Sequence, residues 1–306
     1  MSAPALTTKP AALQTNLAWL GLLCGLIAAV LFAGKAVLVR IAYAHGADPT
    51  ALLGLRMALS LPCFAVLAWW FARGTAPLAI RDRVALLGLG VLGYHIASWL
   101  DFAGLRHIDA ALERVVLFLY PTITAVWAIW LGRERARTAL FLGLACTYVG
   151  ILLTWGDRIV VTGATRTGLG VALVAAAALV FAIYLLAAEG IFRRVGGLRA
   201  TAVAMLGACV TTVIHALIAT PTALLHPTPI IFWLGAALAL LATVIPVLLA
   251  GIALQHLGAA RSALLGTVAP AITALLGWCF AGEFLGLLGW TGIAITMAGA
   301  WLATRR

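Results

Sequence analysis

Long apolar runs, each about the length of a bilayer crossing and parted by only a few polar positions, follow one another from Leu17 almost to the C-terminus. A helix needs about 20 mostly apolar residues to cross the hydrocarbon core. The pattern predicts ten such helices: Leu17–Ala42, Thr50–Ala72, Val84–Ala103, Ala110–Leu131, Ala139–Trp155, Gly168–Ala188, Ala200–Thr220, Ile230–Leu254, Ala259–Ala281 and Leu287–Ala303. The connections between them are too short for a water-soluble domain. The expected fold is therefore an all-α integral membrane protein. The first run is longer than the apolar core of a signal peptide and lacks a small-residue cleavage site, so it reads as the first helix of the mature protein.

The pattern repeats. Sliding the sequence by 149 positions aligns the two halves without a gap, matching Phe32 with Phe181, His107 with His256, Pro121 with Pro270, Thr124 with Thr273, Glu134 with Glu283 and Gly150 with Gly299. Shared apolar composition alone would not match Pro, Glu, His and Gly in one register. The expected organisation is a cytoplasmic tail (1–16), a first five-helix repeat (17–155), an outer linker (156–167), a second five-helix repeat (168–303) and a short cytoplasmic tail (304–306). Five is odd, so the second copy enters the membrane upside down. Inverted repeats of this kind place a solute site near the midplane between the halves.

Composition agrees with the apolar pattern: 64% of the 306 residues are hydrophobic and 9% charged, against roughly 25% charged in soluble domains. The formal charge of +11 would point to nucleic acid in a soluble protein, but here location decides its meaning. With both termini inside, Lys9, Arg73, Arg81, Arg83, Arg133, Arg135, Arg137, Arg193, Arg194, Arg199, Arg261, Arg305 and Arg306 are cytoplasmic, against Arg106, Arg158 and Arg166 outside. That is the positive-inside bias, and no nucleic-acid partner is implied. The five cysteines fall singly within the spans, in no metal-ligand or redox spacing. No metal, cofactor or catalytic constellation is implied.

The charges inside the spans change the picture more. Lys35, Arg40, Arg56, Asp101, Glu113 and Arg114 all lie in the first copy, while positions 184, 189, 205, 250, 262 and 263 of the second carry Tyr184, Glu189, Met205, Ala250, Ser262 and Ala263. Arg40, Arg56, Arg114, Asp101 and Glu113 would ring one outer vestibule, with Lys35 beneath it and a net charge of +2. Buried intramembrane charges mark solute pathways or find one another as structural pairs, and both readings stand for most of these. Lys35 has no carboxylate on its own helix and reads as solute-facing, with a buried pair to Asp101 or Glu113 as the alternative. Glu113, Tyr120 and Thr124 share one helical stripe, as do Tyr94, Ser98 and Asp101. Trp99, Tyr184, Thr267 and Thr273 complete the candidate pathway residues. Pro121 and Pro270 each free a carbonyl, of Leu117 and of Gly266, halfway along a span, and are the candidate hinges. Asp101, Glu113 and His95 are the groups in the first half that can carry a coupling proton.

These features resemble the drug/metabolite transporter superfamily, in its ten-helix EamA-type branch. The resemblance rests on "LFAGKAVLVRIAY", "LLGLRMAL", and the fourth-span pattern written as "GLRHIDAALERVVLFLYPTITAVWAIWLGRE" and again as "ALQHLGAARSALLGTVAPAITALLGWCFAGE". It implies a secondary transporter in the bacterial inner membrane that exports or exchanges small metabolites such as amino acids by alternating access. Importers or antiporters of sugars and phosphorylated compounds are the alternative. An intramembrane enzyme is disfavoured, since neither HExxH nor GxSxG occurs, and paired midplane prolines do not favour a channel.

Overall fold

A computed structural model describes residues 11–132, 138–162, 167–257 and 265–304. Its elements are α1 (Ala11–Ala44), α2 (Pro49–Ala72), α3 (Ile80–Leu105), α4 (Ala110–Leu117), α5 (Leu119–Trp130), α6 (Thr138–Thr162), α7 (Thr167–Val195), α8 (Gly197–Ala219), α9 (Pro221–Leu225), α10 (Pro229–Ala239, continued by Leu240–Val244 and Ile245–Leu257), α11 (Ala269–Ala281) and α12 (Leu287–Thr304). Among the described residues, eight stretches are long and apolar enough to cross a bilayer, and two shorter apolar helices, Ala269–Ala281 and Leu287–Leu302, follow. The chain is a multi-pass, all-helical membrane protein.

Helix ends follow local chemistry. Asp48 accepts from the N–H groups of Thr50 and Ala51 with Pro49 in the first turn, and Asp109 accepts from Leu112 to start α4. Both are side-chain N-caps. Gly282 closes α11 at φ 66°, a left-handed conformation that glycine adopts without a Cβ clash. Two boundaries differ from the sequence expectation. Helix α1 already begins at Ala11, and α6 runs on to Thr162 through residues expected to form a linker. Both extensions are rich in good helix formers or β-branched residues and contain no proline after Pro10, so nothing stops the helix. The start of the expected ninth span, including Ala259, Ala260, Ser262 and Ala263, lies outside the described residues, as does Glu134.

Lipid tails are as apolar as leucine, so helices here associate by close van der Waals packing at small residues rather than by hydrophobic exclusion. The close contacts come in exchanged pairs. Gly21 lies against His256 and Leu257, while Gly170 lies against His107 and Ile108; Gly25 meets Ala253, and Gly104 meets Val174. Each contact is the other with one partner advanced and the other set back by 149 residues. Helices α6 and α12, which start at equivalent positions, pack along their glycines: Gly143 against Gly299, Gly150 against Gly292 and Thr296, Asp157 against Gly286 and Gly289. Rising number on one helix meets falling number on the other, so the two run antiparallel. The two larger buried apolar clusters that result lie around Leu53, Phe64, Phe102, Met205 and Leu238 and around Leu112, Val116, Ile151, Val174 and Ile293.

Two helices widen by one residue per turn at equivalent places. In α3 the N–H of Ala97 reaches Leu92 O, and in α10 that of Ile245 reaches Leu240 O. Such five-residue turns re-aim side chains and recur at functional sites. Tyr94 and Thr243, at the same register of the repeat, sit on them.

Candidate functional site

A cavity of about 690 Å³ opens between the two copies. The first copy supplies Phe32 and Lys35 from α1, Arg56 from α2, Tyr94, Ser98 and Asp101 from α3, Arg114 and Leu117 from α4, and Tyr120, Pro121 and Thr124 from α5. Phe181, Leu185, Ala242, Gly266, Thr267 and Ala300 come from the second. The walls run from the Asp101 and Arg114 end towards Ala29, Ala128, Leu185 and Ala300, the end of the bundle at which α1 begins and α5, α7 and α12 finish.

The charged end is organised by pairing. Lys35 Nζ donates to Asp101 Oδ2 and, at 3.2 Å, to Glu113 Oε1. Arg114 Nη2 donates to Phe32 O at 2.6 Å, and its Nε stands 3.9 Å from Glu113 Oε2. Two cations and two carboxylates thus form a neutral cluster. Lys35 lines the cavity and is also paired: its partners sit on α3 and α4, 66 and 78 residues away along the chain, the buried-pair arrangement that was the alternative to a bare solute contact. Glu113 is fully buried behind Lys35. Among the described residues, Asp101 Oδ1, Glu113 Oε2 and Arg114 Nε find no hydrogen-bond partner.

Arg56 is different. It is 6% exposed, its Nε donates to Thr243 Oγ1 at 2.7 Å, and its guanidinium lies 5.5 Å from the centre of the Phe102 ring. Among the described residues it has no ion-pair partner. A guanidinium carries five N–H donors in a fixed fork suited to carboxylate or phosphate, and this one lines the cavity with one of them engaged. Arg40 leaves the vestibule altogether. Its Nε binds Glu283 Oε1 at 3.0 Å and its Nη1 binds Leu105 O at 3.2 Å, because the turn after α11 reaches back over α1. Without Arg40 the net charge of the site is +1 rather than +2, and Arg56 carries it.

The Arg40–Glu283 pair belongs to a closed seam over the charged end of the cavity. Glu283 Oε2 accepts from Ala110 N at 2.9 Å, Arg158 pairs with Asp109 at 2.7 Å and donates to Phe284 O, and Asp157 accepts from Gly286 N at 3.0 Å. Burial pushes the Glu283 carboxyl up from its ordinary value, with Asp109 adding to the rise and Arg40 opposing it. Sequence reasoning missed this seam. The acids and arginines were visible, but nothing along the chain links position 40 to position 283.

Aromatic side chains form another part of the cavity wall. Tyr120 meets Phe181 edge to face at 5.1 Å, Phe181 lies 6.4 Å from Tyr94, and Tyr184 OH donates to Tyr94 OH at 3.2 Å. Tyr184 itself is buried behind the wall. Three further candidates pack elsewhere: Trp99 Nε1 donates to Thr50 Oγ1, Thr273 Oγ1 donates to Ala33 O, and His95 pairs with His215 at 3.1 Å beside Thr211. Thr124 lines the cavity while donating to Tyr120 O. Both prolines stand in the first turn of a new helix rather than at a bend in a continuous one, Pro121 after a break at Phe118 and Pro270 after Val268. A missing N–H costs nothing there. The residues whose carbonyls they leave unpaired by the helix, Leu117 and Gly266, both line the cavity.

Comparison with known proteins agrees with this architecture. The profile of the EamA-like transporter family matches residues 19–156 and again 168–305, two segments offset by 149 residues at both ends. The chain is 30% identical over 286 residues to the uncharacterized transporter YcbK of Bacillus subtilis (strain 168), covering 90% of each protein. A crystal structure of a protein with 21% identity superposes with a TM-score of 0.66, covering 92% of this chain and 96% of the other, a likeness of fold alone.

Proposed function

Because the chain belongs to the EamA-like transporter family, a family of transporters and not of enzymes, we propose that it exports or exchanges small organic metabolites bearing a carboxylate or another anion, amino acids and related compounds among them. It does so by alternating access across the inner membrane. Ten spans form two inverted five-helix repeats with both termini in the cytoplasm. The exchanged glycine contacts support a two-fold relation between the copies, and the antiparallel run of α6 and α12 supports an axis lying in the membrane plane.

The observation that carries the solute class is the guanidinium of Arg56 on the cavity wall, without an ion-pair partner among the described residues. A buried cation without a partner is costly, and a solute carboxylate removes that cost on binding. The aromatic wall of Tyr94, Tyr120 and Phe181 receives the apolar body. Lys35, Asp101, Glu113 and Arg114 hold three first-copy helices, α1, α3 and α4, around Arg56 on α2. The breaks before Pro121 and Pro270 are the hinges about which the cavity changes its opening, and the seam through Arg40 and Glu283 is the closed outer side.

Counterflow in proteoliposomes of the purified protein tests this with labelled amino acids, simple carboxylates, uncharged sugars and sugar phosphates. Saturable exchange of carboxylate-bearing solutes is expected, falling about 30-fold or more in Arg56→Gln, the cost of removing one side of a buried charge pair. Exchange of uncharged sugars at rates indifferent to Arg56 would overturn the anionic reading. Epitope tags at the two ends should both report the cytoplasm, and opposite sides would sink the inverted repeat.

A further inference from the structure

A second basic feature lies apart from the cavity. Where α2 and α7 end and α3 and α8 begin, a separate depression of about 340 Å³ opens between the helices. Ala68, Ala72, Leu78 and Val203 give it an apolar interior, and Arg83 and Arg199 supply its charge. Arg199 is half-buried, with Nη2 fixed on Ala76 O at 2.9 Å.

Its surroundings narrow the ligand. Arg73, Arg81, Arg193 and Arg194 are exposed on the same turns. Asp82, the acid among them, is occupied by Arg194 at 2.8 Å. Six arginines against Asp82 and Glu189, the latter one turn before Arg193, leave this face net positive. Trp69 and Trp70 beside it are 56% and 60% exposed, and the Arg73 guanidinium stacks 3.5 Å from the Trp69 ring. Exposed tryptophans at a span end mark the headgroup level of a bilayer. A free anion would leave the apolar interior unused, and a neutral apolar molecule would leave the arginines unused. An amphiphile with a phosphate uses both, and basic pockets between helix ends suit anionic headgroups.

We propose that the depression between α2, α3 and α8 is a binding site for an anionic glycerophospholipid, with its phosphate held by Arg83 and Arg199 and its first acyl carbons lying on Ala68, Ala72 and Val203. The site stands independently of the solute reading above.

Native mass spectrometry of the detergent-solubilised full chain, titrated with phosphatidylglycerol or phosphatidylcholine of identical acyl chains, tests it. Phosphatidylglycerol should bind about 30-fold more tightly, near fivefold for each arginine. That preference should vanish in Arg83→Gln/Arg199→Gln. Val203→Trp, which fills the apolar interior and keeps both arginines, should also abolish it, so the result does not depend on whether the double variant folds. Equal affinity for the two lipids, or unchanged preference in Val203→Trp, overturns the proposal. Glycerol 3-phosphate competing as well as the lipid does too, because the site would then read a free phosphate ester.

Discussion

Lys35 and Tyr184 occupy the same register in the two copies, as do Arg56 and Met205, and Asp101 and Ala250. In the first copy these positions form a neutral knot plus one spare cation. In the second, Tyr184 and Met205 are buried in apolar and aromatic packing. The paired helices nonetheless pack alike, with exchanged glycine contacts and matching wide turns. The backbone arrangement thus tolerates either set of side chains: symmetry resides in the small residues that let helices approach, and chemistry resides in positions free to diverge. Tyr94 and Thr243 make the point at one register, the first joining the aromatic wall and the second orienting Arg56.

The sharpest way to break this comparison is to remove Lys35. Lys35→Met leaves Asp101 and Glu113 buried without their shared cation, which should cost about 3–5 kcal/mol of stability. Asp101→Asn in the same protein should recover part of it. The equivalent change in the other copy, Tyr184→Phe, removes one hydroxyl hydrogen bond and should cost about 1 kcal/mol. Thermal melts of the purified variants measure both, and equal losses would mean that charge does not distinguish the copies energetically.

Arg56→Met writes into the first copy the residue its counterpart carries. Because Arg56 has no ion-pair partner among the described residues, its loss strands no carboxylate. Transport of anionic solutes should fall about 30-fold or more while the melting temperature holds or rises. A large destabilisation would move Arg56 to the structural set.

Smaller effects are expected at the seam. Burial raises the Glu283 carboxyl in the folded chain, so its protonated form is favoured by folding. The stability this group contributes is present in acid and declines as pH rises through its folded titration. Glu283→Gln, which stays neutral and keeps one acceptor for Ala110 N, should flatten that part of the melting profile and cost about 1 kcal/mol or less at neutral pH. An unchanged pH slope would remove Glu283 from the titrating groups. The least stability change is expected for Pro121→Ala and Pro270→Ala, within about 1 kcal/mol, since both prolines occupy first-turn positions. Transport should nevertheless slow in each, as judged by counterflow, and full activity in both would leave the two breaks without a role as hinges.

The helical, membrane-spanning character was legible because hydrocarbon permits few alternatives: every backbone polar group must be satisfied within the segment, so twenty apolar residues dictate a helix. The duplication was legible as matched residues at a fixed offset, and so were the candidate charges, because an ionisable residue is conspicuous in an apolar run. Tertiary structure alone decided what those charges do. Of the two readings of Lys35, packing selected the bridge of a carboxylate pair, Arg40 left the cavity for Glu283, and Arg56, one arginine among several in the sequence, became a cation on the wall with no ion-pair partner among the described residues. The physical reason is range. Hydrophobicity and helix breaking act over a turn or two and are written locally, whereas an ion pair forms between helices brought together from distant parts of the chain, and its partner is fixed only when the small residues have set how closely those helices pack.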